Sequence, residues 1–284
     1  MADHLVLNAL RSAFPGAAKE PLRVVDRGFG ALVVRSGANV ILRVARTAAA
    51  AAGHRREWAL LPLLVGTLPV AVPDPRWYVG DAPGLPFGAI GYRRIPGWPL
   101  RPANHGRPIE GEIARFLREL HRREPEGWPE KEDSRAARQQ IAARELPALQ
   151  SVLTPEEWGR VHSWWKDVEH DRSLDDFDPV PIHGDAWYGN LLVRRDGRLA
   201  AVLDWECAGL GDPAQDLAVQ LHLGIDAGRR ILNAYGVDAR LERRVRRRWE
   251  LREFGSVSWA LEHDPGELED SLHKWRSGPV LARR

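Results

Sequence analysis

One cysteine and one methionine stand among 284 residues, and only four of the 41 basic residues are lysines. With Cys207 alone, an intramolecular disulfide and a multi-cysteine metal centre are both excluded. No apolar run reaches the ~18 residues that a membrane-spanning helix needs. The opening Met-Ala-Asp-His-Leu-Val-Leu also lacks the basic flank and apolar core of a signal peptide, so a cytoplasmic protein with no membrane partner is expected. The 41 basic residues barely exceed the 39 acidic ones, giving a net charge of +2. No nucleic-acid motif accompanies them, and no nucleic-acid partner is expected. Gly-x-Ser-x-Gly and His-Glu-x-x-His are both missing, which argues against a serine-elbow hydrolase and a zinc-helix protease.

What is present concentrates in residues 181–216. The order is His183-Gly184-Asp185, four residues, Asn190, an apolar run, Asp196-Gly197, a second apolar run ending at Asp204, and Gly211-Asp212-Pro213 before Asp216. Two short apolar runs joined by Asp-Gly predict a β-hairpin, because that dipeptide tolerates the positive φ of a tight turn. The polar residues then sit at strand ends, where a rigid hairpin holds them. Phosphoryl transfer asks a protein for positioning and charge neutralisation: one carboxylate facing the acceptor hydroxyl, and oxygen ligands for a magnesium ion on the nucleotide phosphates. Asp185 suits the first role, Asn190 and Asp204 the second. The alternative is a hairpin whose polar ends only cap turns.

This segment resembles the catalytic and metal loops of aminoglycoside phosphotransferases and the kinase-like enzymes related to them. In that family His-Gly-Asp, four residues and Asn form the first loop, and the metal Asp follows one strand later, often trailed by Gly-Asp-Pro. The resemblance implies an α+β, two-lobe protein-kinase-like fold. An N-terminal antiparallel sheet lobe would span residues 1–95, and a larger helical lobe, residues 96–284, would carry the catalytic hairpin and the acceptor site. ATP, or GTP, would lie in the cleft with Mg2+, and the phosphoryl group would pass to a small hydroxylated molecule: an aminoglycoside first, a macrolide second, a sugar or amino-alcohol third.

The resemblance extends to residues outside the hairpin. Gly28-Phe29-Gly30 stands where the family covers the nucleotide, and glycines there let backbone amides approach phosphates. Kinase-like folds pair the phosphates with a cation on the third strand, held by a carboxylate on the next helix. No lysine lies between Lys19 and Lys131, so Arg43 takes the cation's place and Glu57 the carboxylate's. The stretch from Tyr92 through Arg94 to Gly97 would link the lobes and read the base with its backbone. A protein kinase is disfavoured, since His-Arg-Asp and Ala-Pro-Glu are missing, and a non-catalytic regulator would have lost one of Asp185, Asn190 and Asp204.

Elsewhere the pattern predicts strands at 22–27, 40–45, 70–73 and 86–92, and helices at 3–14, 109–121, 134–149, 213–223, 227–235 and 240–262. A further helix starts at Thr154-Pro155-Glu156-Glu157, with threonine as cap and a glutamate to bond back. Arg240, Arg243, Arg244, Arg246, Arg247 and Arg248 read as a solvated helix face. The acidic run from Asp167 to Asp178, and Glu262, Asp264, Glu267, Glu269 and Asp270, are candidate walls for a cationic acceptor. Trp164, Trp165, Trp187, Trp205 and Trp259 are candidates for an apolar one. Cys207 reads as a small buried hydrophobe, Asp216 as a structural carboxylate bonding the catalytic loop, and Glu206 as an extra metal or water ligand.

Overall fold

Alternation of apolar and polar residues builds the first lobe. In the computed structural model, which describes residues 3–28, 30–104, 107–131 and 134–282, β1 (Leu22–Arg27), β2 (Ala31–Ser36) and β3 (Val40–Ala45) pair antiparallel in succession. With β4 (Pro75–Val79) and β5 (Ala89–Arg93) they form a five-stranded sheet in the order β1-β2-β3-β5-β4. Leu32, Val34, Leu42 and Val44 point to one face, where they pack with Val6 and Leu10 of helix α1 (Asp3–Ala13). The period of two sends Arg43 to the other face, beside Ile90. Helix α2 (Ala48–Leu64) covers that face. The alanine run ahead of Arg55 is itself the start of this helix, and Thr47 caps it by accepting from the Ala50 amide at 3.1 Å.

Residues 70–73 do not form the expected strand of this sheet, whose edge is β4 instead. The segment crosses to the second lobe. The Ala71 amide donates to the Ala200 carbonyl at 3.1 Å, and the Val202 amide donates to the Ala71 carbonyl at 3.0 Å. A run this short, ended by Pro73, can supply one bridge but not a ladder rung in the sheet centre. Val72 accordingly joins a cluster that includes Leu60, Leu61, Leu64 and Ile90 of the first lobe and Phe116, Leu117, Val202 and Trp205 of the second. At about 2 kcal/mol per fully buried large side chain, this shared core outweighs any polar contact between the lobes.

The second lobe begins at β6 (Trp98–Pro99), which pairs with the hairpin of β8 (Leu191–Val193) and β9 (Leu199–Val202). Gly197, at φ +78°, makes the turn that Asp-Gly announces. A second pairing joins β7 (Val180–Ile182) to β10 (Gly209–Gly211) and brackets the catalytic loop. Helix α3 (Arg107–His121) buries Ile109, Ile113, Phe116, Leu117 and Leu120, the stripe its sequence predicts. Helices α4 (Arg135–Val152) and α5 (Pro155–His170) follow, the latter opened by the Thr154–Glu157 capping box. Then come α6 (Ala214–Ala218), α7 (Ile225–Tyr235), α8 (Ala239–Leu251), α9 (Ser256–His263) and α10 (Leu268–Ser277).

The single helix expected at 240–262 is two, because Gly255 adopts φ +106° and ends the pattern. Helix α9 has no side-chain cap of its own. Instead the buried Glu145 carboxylate of α4 accepts from the Val257 and Ser258 amides at 3.2 and 2.8 Å.

The arginine cluster on α8 divides: Arg240, Arg243 and Arg246 are exposed, as a solvated face requires, whereas Arg244, Arg247 and Arg248 turn inward. Arg244 and Arg248 both reach the buried Asp212, at 3.1 and 3.3 Å, and Arg247 bonds Asp171 at 2.7 Å. Arg240 pairs with Asp176, and Arg138 of α4 pairs with Asp175. Three members of the acidic run, Asp171, Asp175 and Asp176, are thus paired with arginines.

Candidate active site

The loop that begins at His183 leaves β7 at Ile182 and is held from behind by Asp216. This carboxylate accepts from the His183 amide at 2.8 Å and the Gly184 amide at 2.7 Å, and its Oδ2 lies 3.1 Å from His121 Nε2. Burial opposes its charge, yet His121 and His183 hold the carboxyl below its usual range. Sequence reasoning foresaw the backbone contacts but not His121, which nothing in α3 marks out from the sequence alone. His183 donates from Nε2 to the Leu203 carbonyl at 3.0 Å and accepts from the Asp185 amide at Nδ1. Burial keeps its imidazole neutral, and it packs against Trp205 with ring centres 4.6 Å apart.

Asp185 and Asn190 are brought together. Asn190 Nδ2 donates to the Asp185 carboxylate at 2.9 Å and to the Asp185 carbonyl at 2.8 Å. Those two bonds fix the amide's orientation, with the oxygen of the Asn190 side chain as its free acceptor end. Burial, reinforced by the charge of Asp204, pushes the Asp185 carboxyl up to about 7, against the pull of Asn190. The Leu203 amide donates to the Asn190 carbonyl at 2.8 Å, so the hairpin's two ends are tied to each other.

Asp204 comes next, and it is the only described non-glycine residue with positive φ, at 64°. For an L-residue this conformation costs on the order of 1–2 kcal/mol. Here it turns the carboxylate toward the first lobe, where Arg43 Nη2 meets Asp204 Oδ1 at 2.8 Å and Glu206 Oε2 at 2.9 Å. Arg43 Nη1 lies 3.1 Å from each oxygen of Glu57. Glu57 is fully buried and also accepts from the Trp205 amide at 2.8 Å and from the Tyr92 hydroxyl. Burial pushes the Glu57 carboxyl up while Arg43 opposes the shift. The expected Arg43–Glu57 pair is thus present, and it binds the metal loop as well.

Other expected residues are placed differently. The Tyr92 side chain is buried in the core and serves Glu57 through its hydroxyl, so any part it has in reading the base falls to its backbone. The Arg94 amide donates to the Asn39 carbonyl at 2.7 Å, which removes that donor from base reading. Gly28 and Gly30 line a cavity of about 960 Å³ together with Gly53 and Glu206, whereas Phe29 lies outside the described residues. Cys207 is exposed and lines this cavity, contrary to the buried position its size suggests. Of the five tryptophans only Trp259 faces it, across from the glycines. Trp164, Trp165 and Trp205 are core, and Trp187 packs on Tyr188 and His222.

Sequence reasoning missed Gly53. A Cβ there would fall 2.6 Å from the Cβ of Glu206, so only glycine lets α2 approach the metal loop this closely. A glycine inside a helix, where it costs up to about 1 kcal/mol, was the available signal.

Residues 22–251 match the phosphotransferase enzyme family, APH. No curated protein matches the chain. Among solved structures, the GDP and kanamycin complex of APH(2")-IIIa superposes with a TM-score of 0.82 at 19% identity, covering 95% of this chain and 96% of that one. Macrolide 2'-phosphotransferase type I gives 0.70 at 23%, with 100% and 99% covered. Macrolide 2'-phosphotransferase MphH from Brachybacterium faecium, as apoenzyme, gives 0.67 at 24%, with both chains fully covered. These likenesses establish the two-lobe kinase-like fold of an antiparallel sheet lobe and a helical lobe. The family match over most of the length, on a chain in which Arg43 of the sheet lobe meets Asp204 and Glu206 of the helical lobe, makes this protein a member of the phosphotransferase enzyme family.

Proposed function

We propose that the protein transfers the γ-phosphoryl group of ATP or GTP to a hydroxyl of a small molecule, with Asp185 as the catalytic carboxylate. The observation that carries this reading is the Asp185–Asn190–Asp204–Arg43 constellation, which gathers a base, oxygen ligands and a cation at the junction of the lobes. Asp185 would orient the acceptor hydroxyl and take its proton as the phosphoryl group departs. Its raised pKa suits that exchange near neutrality.

Asp204 and the amide oxygen of Asn190 would hold Mg2+, with Glu206 as a further oxygen donor. The set fits: all three are hard oxygen ligands. Among the described residues no group of three or more His, Cys, Asp or Glu side chains could hold a metal ion by itself, so the ion would take the rest of its coordination from phosphates and water. Bound there, the ion would neutralise charge on the bridging phosphates. Gly28 and Gly30 would cover the phosphates, Arg43 would meet them with Glu57 behind it, and the backbone from Tyr92 to Gly97 would meet the base. The nucleotide would thus lie between residues 1–95 and residues 96–284. No described helix is long and apolar enough to cross a membrane; a donor drawn from the ATP or GTP pool would put the reaction in the cytoplasm.

For the acceptor we favour an aminoglycoside-type compound, then a macrolide, then a sugar or amino-alcohol metabolite. Support comes from Asp264 and Glu267, which face the cavity beside Trp259 and offer carboxylates to amino groups and a flat surface to a ring. Incubation with ATP or GTP and a panel of such acceptors, read by a mass gain of one phosphoryl group, tests the ranking. A macrolide product without an aminoglycoside product would reverse it, and no product from any acceptor would point to another metabolite.

A further inference from the structure

Counting charge at the site exposes a deficit. Arg43 is bonded to Glu57, Asp204 and Glu206, and Asp185 stands on the same loop cluster as Asn190. Three carboxylates thus share one guanidinium, and Asp185, bonded by Asn190, adds a fourth acidic group to the site without a cation of its own among the described residues. A triphosphate brought to this place adds more negative charge, of which one divalent cation offsets only part. Cations must come from elsewhere, and two face the same cavity of about 960 Å³ that Gly28, Gly30 and Glu206 line: Arg46 from the turn between β3 and α2, and Arg56 from α2. Neither has a carboxylate partner in any ion pair among the described residues. Each is steadied by a carbonyl of a loop on the phosphate path: Arg46 Nη1 donates to the Gly28 carbonyl at 3.2 Å, and Arg56 donates to the Glu206 carbonyl. A guanidinium carries five donors in a fork that matches phosphate oxygens, so one bond to a carbonyl leaves most of its capacity. The third arginine on the cavity, Arg27, is held by Asp3 and is a weaker candidate.

We propose that Arg46 and Arg56 are phosphate-contacting residues that grip the terminal phosphates of the bound triphosphate, a charge that Arg43, already shared among three carboxylates, does not balance. This rests on the phosphotransferase reading of the site. Calorimetric titration of ATP and GTP, and of ADP and GDP, with magnesium present, tests it on Arg46→Ala, Arg56→Ala and Arg56→Lys.

Each alanine variant is expected to bind triphosphate about tenfold more weakly, the size of one lost charge-assisted contact, and diphosphate less so. Arg56→Lys is expected to recover part of the loss. Arg46 is exposed, so its variant is expected to melt as the wild type does without nucleotide. If Arg56→Ala does not fold, Arg46→Ala carries the test. Triphosphate affinity within about twofold of wild type in folded Arg46→Ala and Arg56→Ala proteins, or in Arg46→Ala alone where Arg56→Ala does not fold, while the wild type still transfers phosphate, overturns the proposal alone. A folded wild type that binds no nucleotide overturns the phosphotransferase reading and this proposal with it.

Discussion

Arg43 of the first lobe touches Asp204 of the second, Nη2 to Oδ1 at 2.8 Å, so the cation expected at the phosphates and the carboxylate expected at the metal are bonded to each other. A nucleotide with its metal has to share both groups. The same contact makes Arg43 a structural residue, because it compensates Glu57, Asp204 and Glu206 at once. Removing one member of a buried ion network costs about 3–5 kcal/mol when its partners stay charged. Arg43→Ala is therefore expected to lower the melting temperature of the nucleotide-free protein by several degrees, raise the nucleotide KM and lower kcat. Scanning calorimetry and steady-state kinetics check this. Unchanged kinetic constants would show that Arg43 does not face the phosphates.

Asp185→Asn keeps the shape of the loop and removes the proton acceptor. Transfer is expected to fall by roughly 10²–10⁴, the usual share of a general base, with nucleotide affinity nearly unaltered by calorimetry. Near-normal phosphorylation by this variant would take Asp185 out of the role.

The same carboxyl has a stability signature in metal-free protein. Its pKa in the fold is about 7 against an ordinary 3.8, so the folded state holds the proton more tightly than the unfolded chain. Below about pH 4 both states are protonated and the group is neutral to stability. As pH rises toward 7 the unfolded chain ionises first, and stability is lost; above about 7 the penalty is constant. Asp185→Asn lacks this penalty. With chelator present its melting temperature is expected to exceed that of the wild type at about pH 8 and to converge with it near pH 4. A constant gap across that range would contradict the buried, acid-crowded environment of Asp185.

Positive φ at Asp204 separates its two roles. Glycine accepts φ 64° freely and alanine does not, so Asp204→Gly is expected to be more stable than Asp204→Ala by about 1–2 kcal/mol while both lose activity. Both are also expected to lose more activity than Asn190→Ala, since a charged oxygen holds a divalent cation better than an amide. Denaturant midpoints and magnesium titrations of the rate distinguish these expectations. Wild-type magnesium dependence in either variant would reassign that residue to turn capping.

Much of this was legible in the chain. His183, Asp185, Asn190 and Asp204 could be placed because a hairpin's turn and period fix where its ends lie, and the family resemblance implied the pair of Arg43 and Glu57, which is found bonded. Asp216 was assigned to loop amides, where it is found. Tertiary partners were not legible. Nothing in the spacing of residues 240–248 says that Asp171, Asp176 and Asp212 lie across from them, so the cluster looked solvated. Tyr92 was given to the nucleotide through the backbone of the linker it begins, and the bond from its hydroxyl to Glu57 was not foreseen. The run at 70–73 had the composition of a strand, but a strand's partner is chosen by the fold, and here it is Ala201.

The cluster that joins Leu60, Leu61 and Leu64 to Phe116, Leu117 and Trp205 has a consequence for cooperativity. Lobes that share one interior cannot melt separately: a cut at residues 94–97 would leave each half with a large apolar face in water, and neither fragment would hold its shape alone. Heating is thus expected to produce a single transition whose calorimetric and van't Hoff enthalpies agree, and any opening of the cleft must be a small rocking about the Ala71 bridge and not a swing of independent bodies.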